Sequence, residues 1–395
     1  MGKEYEQIES IIELLKTIIK SMKVDRLSAE DIENVLVTVS EINNSLYGVS
    51  ELKIQGKYDI DTEQGYSCLV GEIEALVEIW TKTIERRNSG HQIDRRFWTL
   101  YETFKYIEPN DIYVKVMNTF FSLSEGQRIE YLSLNKRYTF LNNSIDITED
   151  DYSLIVEHIE MMIANVDKFY WLYERLSDYR SKYTLVGIIE YWFDFNIAKL
   201  HNLTETIFLD YYDLDIVKCD ENEVLVDLGA YTGDSVKDFI NTYGSYKRIY
   251  AYEITPSTFN TLTNNTANFS NIVLRQKGVG AENGYMYLND KPDGAGNKLL
   301  EQGDTKVEVV SIDNDIDENI TLVKMDIEGA EKDAIIGMQN HILREKPKMM
   351  ISSYHIPDDI FNVPILIDSI RNDYKFYMRF NGCGIWPCDY VLFAV

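Results

Sequence analysis

The chain has 395 residues, 45% hydrophobic and 26% charged, which is length enough to bury two or three domain cores. Its formal charge of −26 opposes a nucleic-acid substrate, because neutralising phosphates requires clustered Lys and Arg. No segment has the uninterrupted apolar length of a membrane span. The opening MGKEYEQIESIIELLKTIIKSMKV lacks a signal peptide's cleavage site, and the sparse cysteines (Cys68, Cys219, Cys383 and Cys388) suit free thiols in a reducing compartment. The expected location is the cytoplasm.

From about Tyr5 to about Leu200 the apolar residues recur at helical spacing. Ile8, Ile11, Ile12, Leu15, Ile18 and Ile19 form a first stripe. Ser28 with Asp31, ahead of Ile32, Val35 and Leu36, is the pattern of a capping box opening a second helix. Leu69, Ile73, Leu76, Val77 and Trp80 give a third helix, and Phe97 to Ile107 and Ile112 to Leu123 give shorter ones. Asn142 to Ile147 marks a break before a long helix from about Thr148 towards Tyr183, followed by Leu185 to Leu200. The spacing predicts an all-helical accessory domain over 1–148 and lead-in helices within 149–215. The aromatic residues Phe169, Tyr170, Trp171, Tyr173, Tyr191, Trp192 and Phe193 fall at helical spacing, where core packing is favoured over stacking on sugar rings.

After His201 the pattern switches to short β-rich runs: Val224 to Leu228, Arg248 to Glu253, Ile272 to Gly278, Thr321 to Asp326, Lys348 to Tyr354, Lys375 to Phe380 and Tyr390 to Val395. Helical stretches at Asp234 to Thr242, Ser257 to Asn268, Ala330 to Leu343 and Pro364 to Asn372 alternate with them. This alternation predicts an α/β domain over 216–395, a doubly wound, mostly parallel Rossmann-like sheet with helices on both faces. Tyr285 to Asn289 and Lys306 to Ile312 bracket the loop KPDGAGNK and suggest an inserted hairpin.

The chemistry concentrates at strand ends. VLVDLGAYTG, Val224 to Gly233, breaks at Asp227 and turns through Gly229 and Gly233 into a helix, and RIYAYE then delivers Glu253. One acid at the end of each of two neighbouring strands is the layout of a nucleotide-type cofactor crevice. Tyr231 stands where a GxGxxG motif has its middle glycine, so the ligand suggested carries a ribose but no pyrophosphate. S-adenosyl-L-methionine (SAM) fits. Asp227 would orient the methionine ammonium, directly or through water, and Glu253 would accept the ribose hydroxyls. The helix after Gly233 would face the methionine carboxylate, and Gly278 and Val279 would line the adenine pocket. In LVKMDIEGAE, Leu322 to Glu331, Asp326 and Glu328 lie at the next strand's carboxyl end, while Glu331 suits a helix cap. His355, after MMISSYH, reaches the same rim and is suited to proton removal. The donor set Asp326, Glu328 and His355 is poor for a metal, so none is expected. His91, His158, His201 and His341 are expected to be solvated or packing residues.

VLVDLGAYTGDS, IYAYEITPSTFNTLTNN, the SID at Ser311 to Asp313, LVKMDIEGAE and the SSYH at Ser352 to His355 resemble the successive motifs of the FkbM family of SAM-dependent methyltransferases. The likeness runs from about Val224 to the C-terminus, and LSDYRSKYTLVGIIEYWF is similar to the lead-in helices of longer, glycan-associated members. The resemblance implies a class I methyltransferase fold with an antiparallel last strand, and SAM as donor. It also implies an O-methylated sugar, polyketide or related hydroxyl as product. It carries over Asp227, Gly229, Gly233 and Glu253 for SAM, with Asp326, Glu328 and His355 on the acceptor side; Ala230 of the turn and Asp326 are also expected to contact the cofactor. The acceptor expected is a hydroxyl or amine on a cell-surface or flagellar glycan or its precursor. The helical region would bind a partner, hold the glycan or form a homo-oligomer. The competing readings are a nicotinamide-dependent oxidoreductase and an inactive glycan- or partner-binding scaffold.

Overall fold

The computed structural model describes residues 2–47, 60–88, 90–105, 107–126, 150–194, 197–208, 210–288, 299–303, 305–382 and 387–395. It divides into two compact units, Met1–Val166 with Trp192–Asp194, and Asp167–Tyr191 with Phe195–Val395.

Among its described residues the first unit is entirely helical: α1 (Gly2–Met22), α2 (Ala29–Tyr47), α3 (Glu63–Asn88), α4 (Gln92–Phe104), α5 (Pro109–Ser122) and α6 (Asp150–Ala164). In α1 the buried stripe is Ile8, Ile12, Leu15, Ile19 and Met22. Steps of three and four keep these on one face, whereas Ile11, expected in the stripe, is exposed. Before α2 the Ser28 hydroxyl accepts from the Asp31 amide at 3.2 Å, as its capping pattern predicts. His91 caps α4 by accepting from the Ile93 amide, and His158 stacks on Trp192 at 3.8 Å between centroids. The expected break at Asn142 to Ile147 lies outside the described residues.

The single long helix expected from Thr148 to Tyr183 is instead three: α6, α7 (Val166–Arg175) and α8 (Tyr179–Asp194), followed by the short α9 (Ile197–His201). The second break has a tertiary cause. Leu176 bridges Phe376, the Ser177 amide donates to the Phe376 carbonyl at 2.8 Å, and the Asp178 carboxylate accepts from the Ser181 amide. Backbone bonding to a sheet edge has overridden helical propensity.

The second unit holds a seven-stranded sheet of β1 (Val224–Leu228), β2 (Arg248–Tyr252), β3 (Ile272–Arg275), β8 (Leu322–Met325), β9 (Lys348–Ser352), β10 (Phe376–Phe380) and β11 (Tyr390–Ala394). The order is β10-β11-β9-β8-β1-β2-β3, and only β11 runs antiparallel to its neighbours. The doubly wound α/β class with an antiparallel last strand is therefore as expected. Every residue of β1 and β11 is buried, as a strand covered on both faces requires. Around Leu225, Ile249 and Leu322 the core gathers Val236 and Phe239 from α10 (Asp234–Tyr243) and Leu262 from α11 (Pro256–Thr266).

The expected strand Ile272 to Gly278 divides. β3 ends at Arg275, and β4 (Gly278–Val279) joins a second sheet, β4-β7-β5-β6, with β5 (Gly284–Leu288), β6 (Leu299–Leu300) and β7 (Thr305–Val310). β5 and β7 pair antiparallel, the hairpin the sequence predicts; its KPDGAGNK loop lies outside the described residues. After α12 (Ile312–Asp315), the helix expected from Ala330 to Leu343 breaks into α13 (Glu331–Ile336) and α14 (Gln339–Glu345). At the break Gly337 packs on backbone: a Cβ there would lie 2.1 Å from the Gly280 carbonyl oxygen. The last helix, α15 (Asp359–Ile370), starts five residues before the expected Pro364, which it contains. Phe169 packs edge-on against Phe361 of this helix, and Phe169, Tyr173 and Tyr191 are buried as the core reading expects, whereas Tyr170 is exposed.

Candidate active site

The chain winds outward from β1 through β2 and β3, then returns to β8 and β9 on the other side. The crevice at that reversal is where open α/β sheets place ligands. A cavity of about 400 Å³ opens there. One half is lined from the ends of β1 and β2 and from the β3–β4 passage, by Gly229, Tyr231, Glu253, Lys277, Gly278 and Val279. The other is lined from β8, β9 and the lead-in, by Tyr211, Lys324, Asp326, Glu328, Ser352 and Tyr354.

The first half is built mainly by backbone. β1 and β2 pair with Asp227 opposite Ala251, which sets Glu253 one residue past the end of β2. The Gly229 and Ala230 amides both donate to the Tyr252 carbonyl, at 3.1 and 2.9 Å, and the Gly233 amide donates to the Ala230 carbonyl at 2.7 Å. Gly229 has φ 80°, and a Cβ on it would lie 1.9 Å from the Asp326 carbonyl oxygen, so β1 and β8 close together only over a glycine. Tyr231 takes the left-handed φ of 46° and borders the cavity. Gly233, at φ 84°, begins α10 with no side-chain cap, leaving the helix's first amides uncapped by side chains. Glu253 accepts from the Thr255 amide at 2.7 Å. Burial pushes its carboxyl up, against the pull of the Thr255, Tyr231 and Ile254 amides.

Asp227 is placed differently from Glu253. It is wholly buried beneath the turn, with Oδ2 accepting from the Ser235 hydroxyl at 2.5 Å and Oδ1 facing Lys324 Nζ at 3.3 Å. Burial pushes this carboxyl up, with Lys324 and Ser235 opposing. Burial works against charge on Lys324 too, but the Asp227 and Asp326 carboxylates raise it overall. Lys324 also donates to the Gly229 carbonyl at 2.8 Å. Asp227 thus meets the cavity only through Lys324 and Ser235, both on its wall, and Ala230 and Gly233 lie off the wall.

The second half is built from side chains. Asp326 accepts from the Tyr211 hydroxyl at 3.0 Å through Oδ2, and its Oδ1 faces His355 Nε2 at 3.3 Å. Glu328, at the left-handed φ of 58°, brings Oε2 within 3.8 Å of the same nitrogen. His355 is off the cavity wall and mostly buried, and its Nδ1 lies 2.9 Å from Glu331 Oε1. Burial opposes charge on the imidazole, yet the bond to Glu331 and the charges of Glu331, Asp326 and Glu328 raise it above its ordinary value. Glu331 is fully buried and accepts from the Ile327 amide at 3.1 Å; it holds the loop and the imidazole in addition to opening α13. The cavity therefore brings Glu253, Gly229, Gly278, Val279, Asp326 and Glu328 together, with His355 one layer behind.

Tyr211, Lys324 and Ser235 were not among the residues the sequence singled out. Lys324 carried a signal, since a lone lysine inside the apolar run LVKM demands a buried partner. Tyr211 carried none. It is placed by its neighbours: Tyr212 donates to the Ser235 carbonyl at 2.7 Å, and Asp213 accepts from the buried Arg379 at 2.8 Å.

Elsewhere in this unit Cys219 is a free thiol that burial pushes up to about 12, and the Cys388 thiol donates to Asp389 at 3.3 Å; Cys383 lies outside the described residues. His341 is buried, with Nδ1 2.8 Å from Glu345 and Nε2 3.1 Å from the Ile316 carbonyl. Among the described residues no helix is long and apolar enough to cross a membrane.

Residues 227–380 match the family model of the methyltransferase FkbM domain. The crystal structure of methyltransferase FkbM from Methylobacillus flagellatus KT is 25% identical at a TM-score of 0.52, over 60% of this chain and 62% of that chain. Fibrillarin from Aeropyrum pernix, in complex with natively bound S-adenosyl-L-methionine, aligns at 14% identity and TM-score 0.31 over 50% of this chain and 74% of that one. An rRNA methylase from Streptococcus thermophilus aligns at 12% and 0.31, over 48% and 98%. These last two likenesses are too distant to inform function. No curated protein matches the chain. The C-terminal part of the chain thus carries an FkbM methyltransferase domain, preceded in sequence by an all-helical region.

Proposed function

We propose that the chain is a SAM-dependent methyltransferase acting on a hydroxyl or amine of a glycan-related acceptor in the cytoplasm. The observation that carries this reading is one cavity bordered by Glu253 and the Gly229 turn on one side and by Asp326 and Glu328 on the other. A donor and an acceptor can meet only where both halves face the same space.

The residues present fit SAM. Glu253 suits the two ribose hydroxyls, and Gly278 and Val279 suit the adenine. The first amides of α10 suit the methionine carboxylate, and the Ser235 hydroxyl, which donates to Asp227, can accept from the amino group. When bound, SAM supplies a methyl group already activated on a sulfonium. The protein's contributions are then alignment, exclusion of water and a place for the acceptor's proton. Nothing in the geometry favours a nicotinamide dinucleotide, because the Tyr231 side chain occupies the turn where a pyrophosphate needs bare backbone. The glycan class rests on the lead-in segment's resemblance to glycan-associated members.

Isothermal titration with S-adenosylhomocysteine (SAH) tests the donor half. Glu253→Ala should weaken binding by about 10- to 100-fold, the loss of one or two hydrogen bonds to a charged group. Equal affinity in wild type and variant would remove Glu253 from the site. Comparing intact glycan mass between a strain lacking the gene and its parent tests the acceptor class. One missing methyl group is the expected difference.

A further inference from the structure

Resting on that reading, the geometry points to Asp326 as the acceptor of the substrate's proton, with Tyr211 and the Glu331–His355 pair as positioning residues that hold its two oxygens. His355 looks at first like the natural base, but both its ring nitrogens face carboxylates. Nδ1 meets Glu331 at 2.9 Å, and Nε2 meets Asp326 at 3.3 Å and Glu328 at 3.8 Å. An imidazole so surrounded keeps its proton and presents no lone pair to the cavity. Its side chain is 7% exposed, against 29% for Asp326.

Asp326 meets the requirements that His355 does not. It lines the cavity, and its two oxygens are each gripped from a different side, by His355 on Oδ1 and by the Tyr211 hydroxyl on Oδ2. Each carboxylate oxygen accepts in two directions, so one lone pair on each is left for the acceptor. Glu328 also borders the cavity, but it lies 3.8 Å from His355, a looser hold than either grip on Asp326. Lys324 also interacts electrostatically with Asp326, and Asp227 and the Gly229 carbonyl hold it in place. The step balances: the proton of a hydroxyl or an ammonium acceptor passes to an Asp326 oxygen, the lone pair so freed bonds the methyl carbon, and the electron pair of the broken carbon–sulfur bond leaves with the thioether sulfur.

Tyr211 makes this more than a reassignment within the family domain. It lies outside the matched residues 227–380, yet it binds both Asp326 and Ser352, each at 3.0 Å. Burial and the Asp326 charge push its phenol well above the ordinary value, so it acts as a donor. The lead-in segment therefore completes the site.

The test uses the full chain labelled with 13C at histidine Cε1, the His355 signal being assigned by its loss in His355→Gln. With SAH bound, the His355 midpoint should lie above the ordinary imidazole value, and Glu331→Gln should lower it by about one pH unit or more. A wild-type His355 midpoint at or below the ordinary imidazole value overturns the proposal. A second arm follows tritium transfer from labelled SAM to glycan extracted from a strain lacking the gene. Tyr211→Phe should cut the rate about 10-fold or more and move the acid limb of the pH–rate profile to higher pH, with SAH affinity unchanged. An unmoved limb overturns the proposal, since a merely structural tyrosine would lower the rate at every pH alike. Should Tyr211→Phe fail to fold, Ser352→Ala, which removes the other hydroxyl bonded to Tyr211, should move the limb the same way by less. Absence of both SAH binding and transfer in the wild type would sink the methyltransferase reading, which is a different outcome.

Discussion

The two halves of the cavity are made of different material. The β1–β2–β3 half is shaped by backbone: left-handed residues at 229, 231 and 233, two amides shared by one carbonyl, and a carboxylate held by amides. The β8–β9 half is shaped by charge: Asp326, Glu328 and Glu331 around His355, with a phenol and a lysine in support. Backbone shape is sensitive to volume and indifferent to pH. A charge network is the reverse. The contrast teaches that one binding site can fix an invariant ligand through main chain while leaving its reactive end to side chains that substitution can retune.

Three experiments break or sharpen this contrast. The largest effect is expected from Gly229→Ala, which sets a Cβ 1.9 Å from the Asp326 carbonyl oxygen at a φ that alanine resists. Strain and clash together should cost about 4 kcal/mol or more. Thermal melting should show a drop of many degrees or an unfolded domain, and a wild-type Tm would refute a backbone-built half. Next comes Arg379→Met. Arg379 is buried against Asp213 at 2.8 Å and Asp178 at 2.9 Å, tying the lead-in segment that bears Tyr211 to β10. Removing it leaves the buried Asp213 carboxylate uncompensated, a loss of about 3–5 kcal/mol read as a lower urea midpoint. Adding Asp213→Asn should recover part of that loss; if it does not, the arginine matters through packing.

The smallest effect concerns His355 and pH. Its pKa in the folded chain is raised, so the stability it contributes is fully present below the ordinary imidazole value and is lost as pH rises through the raised one. Wild type should therefore weaken on the alkaline side of neutrality, and His355→Gln should flatten that decline while being less stable at pH 6. Parallel stability curves for the two proteins would mean the imidazole is not coupled to its three carboxylates.

The strand ends were the most legible part of the sequence. Val224 to Leu228 was bounded to the residue because an apolar run broken by an acid and closed by glycines admits few other conformations. Glu253, Asp326 and Glu328 could be placed on one rim because strand direction and order follow from alternation. The helices between Thr148 and Leu200 were less legible. Their apolar period continues through Leu176, and the break there is made by the carbonyl of Phe376, two hundred residues on, with the Asp178 cap.

The sequence alone determined the fold class, the antiparallel last strand implied by the family likeness, and the strand-end acids, because periodicity and turn chemistry are local and act on every chain in the same way. Tertiary structure decided that Asp227 lies beneath the turn rather than on the cavity wall, that Glu331 and Asp326 share His355, and that Tyr211 enters the site. These depend on which side chains burial leaves without water, and a buried charge takes whatever partner the packing brings near it.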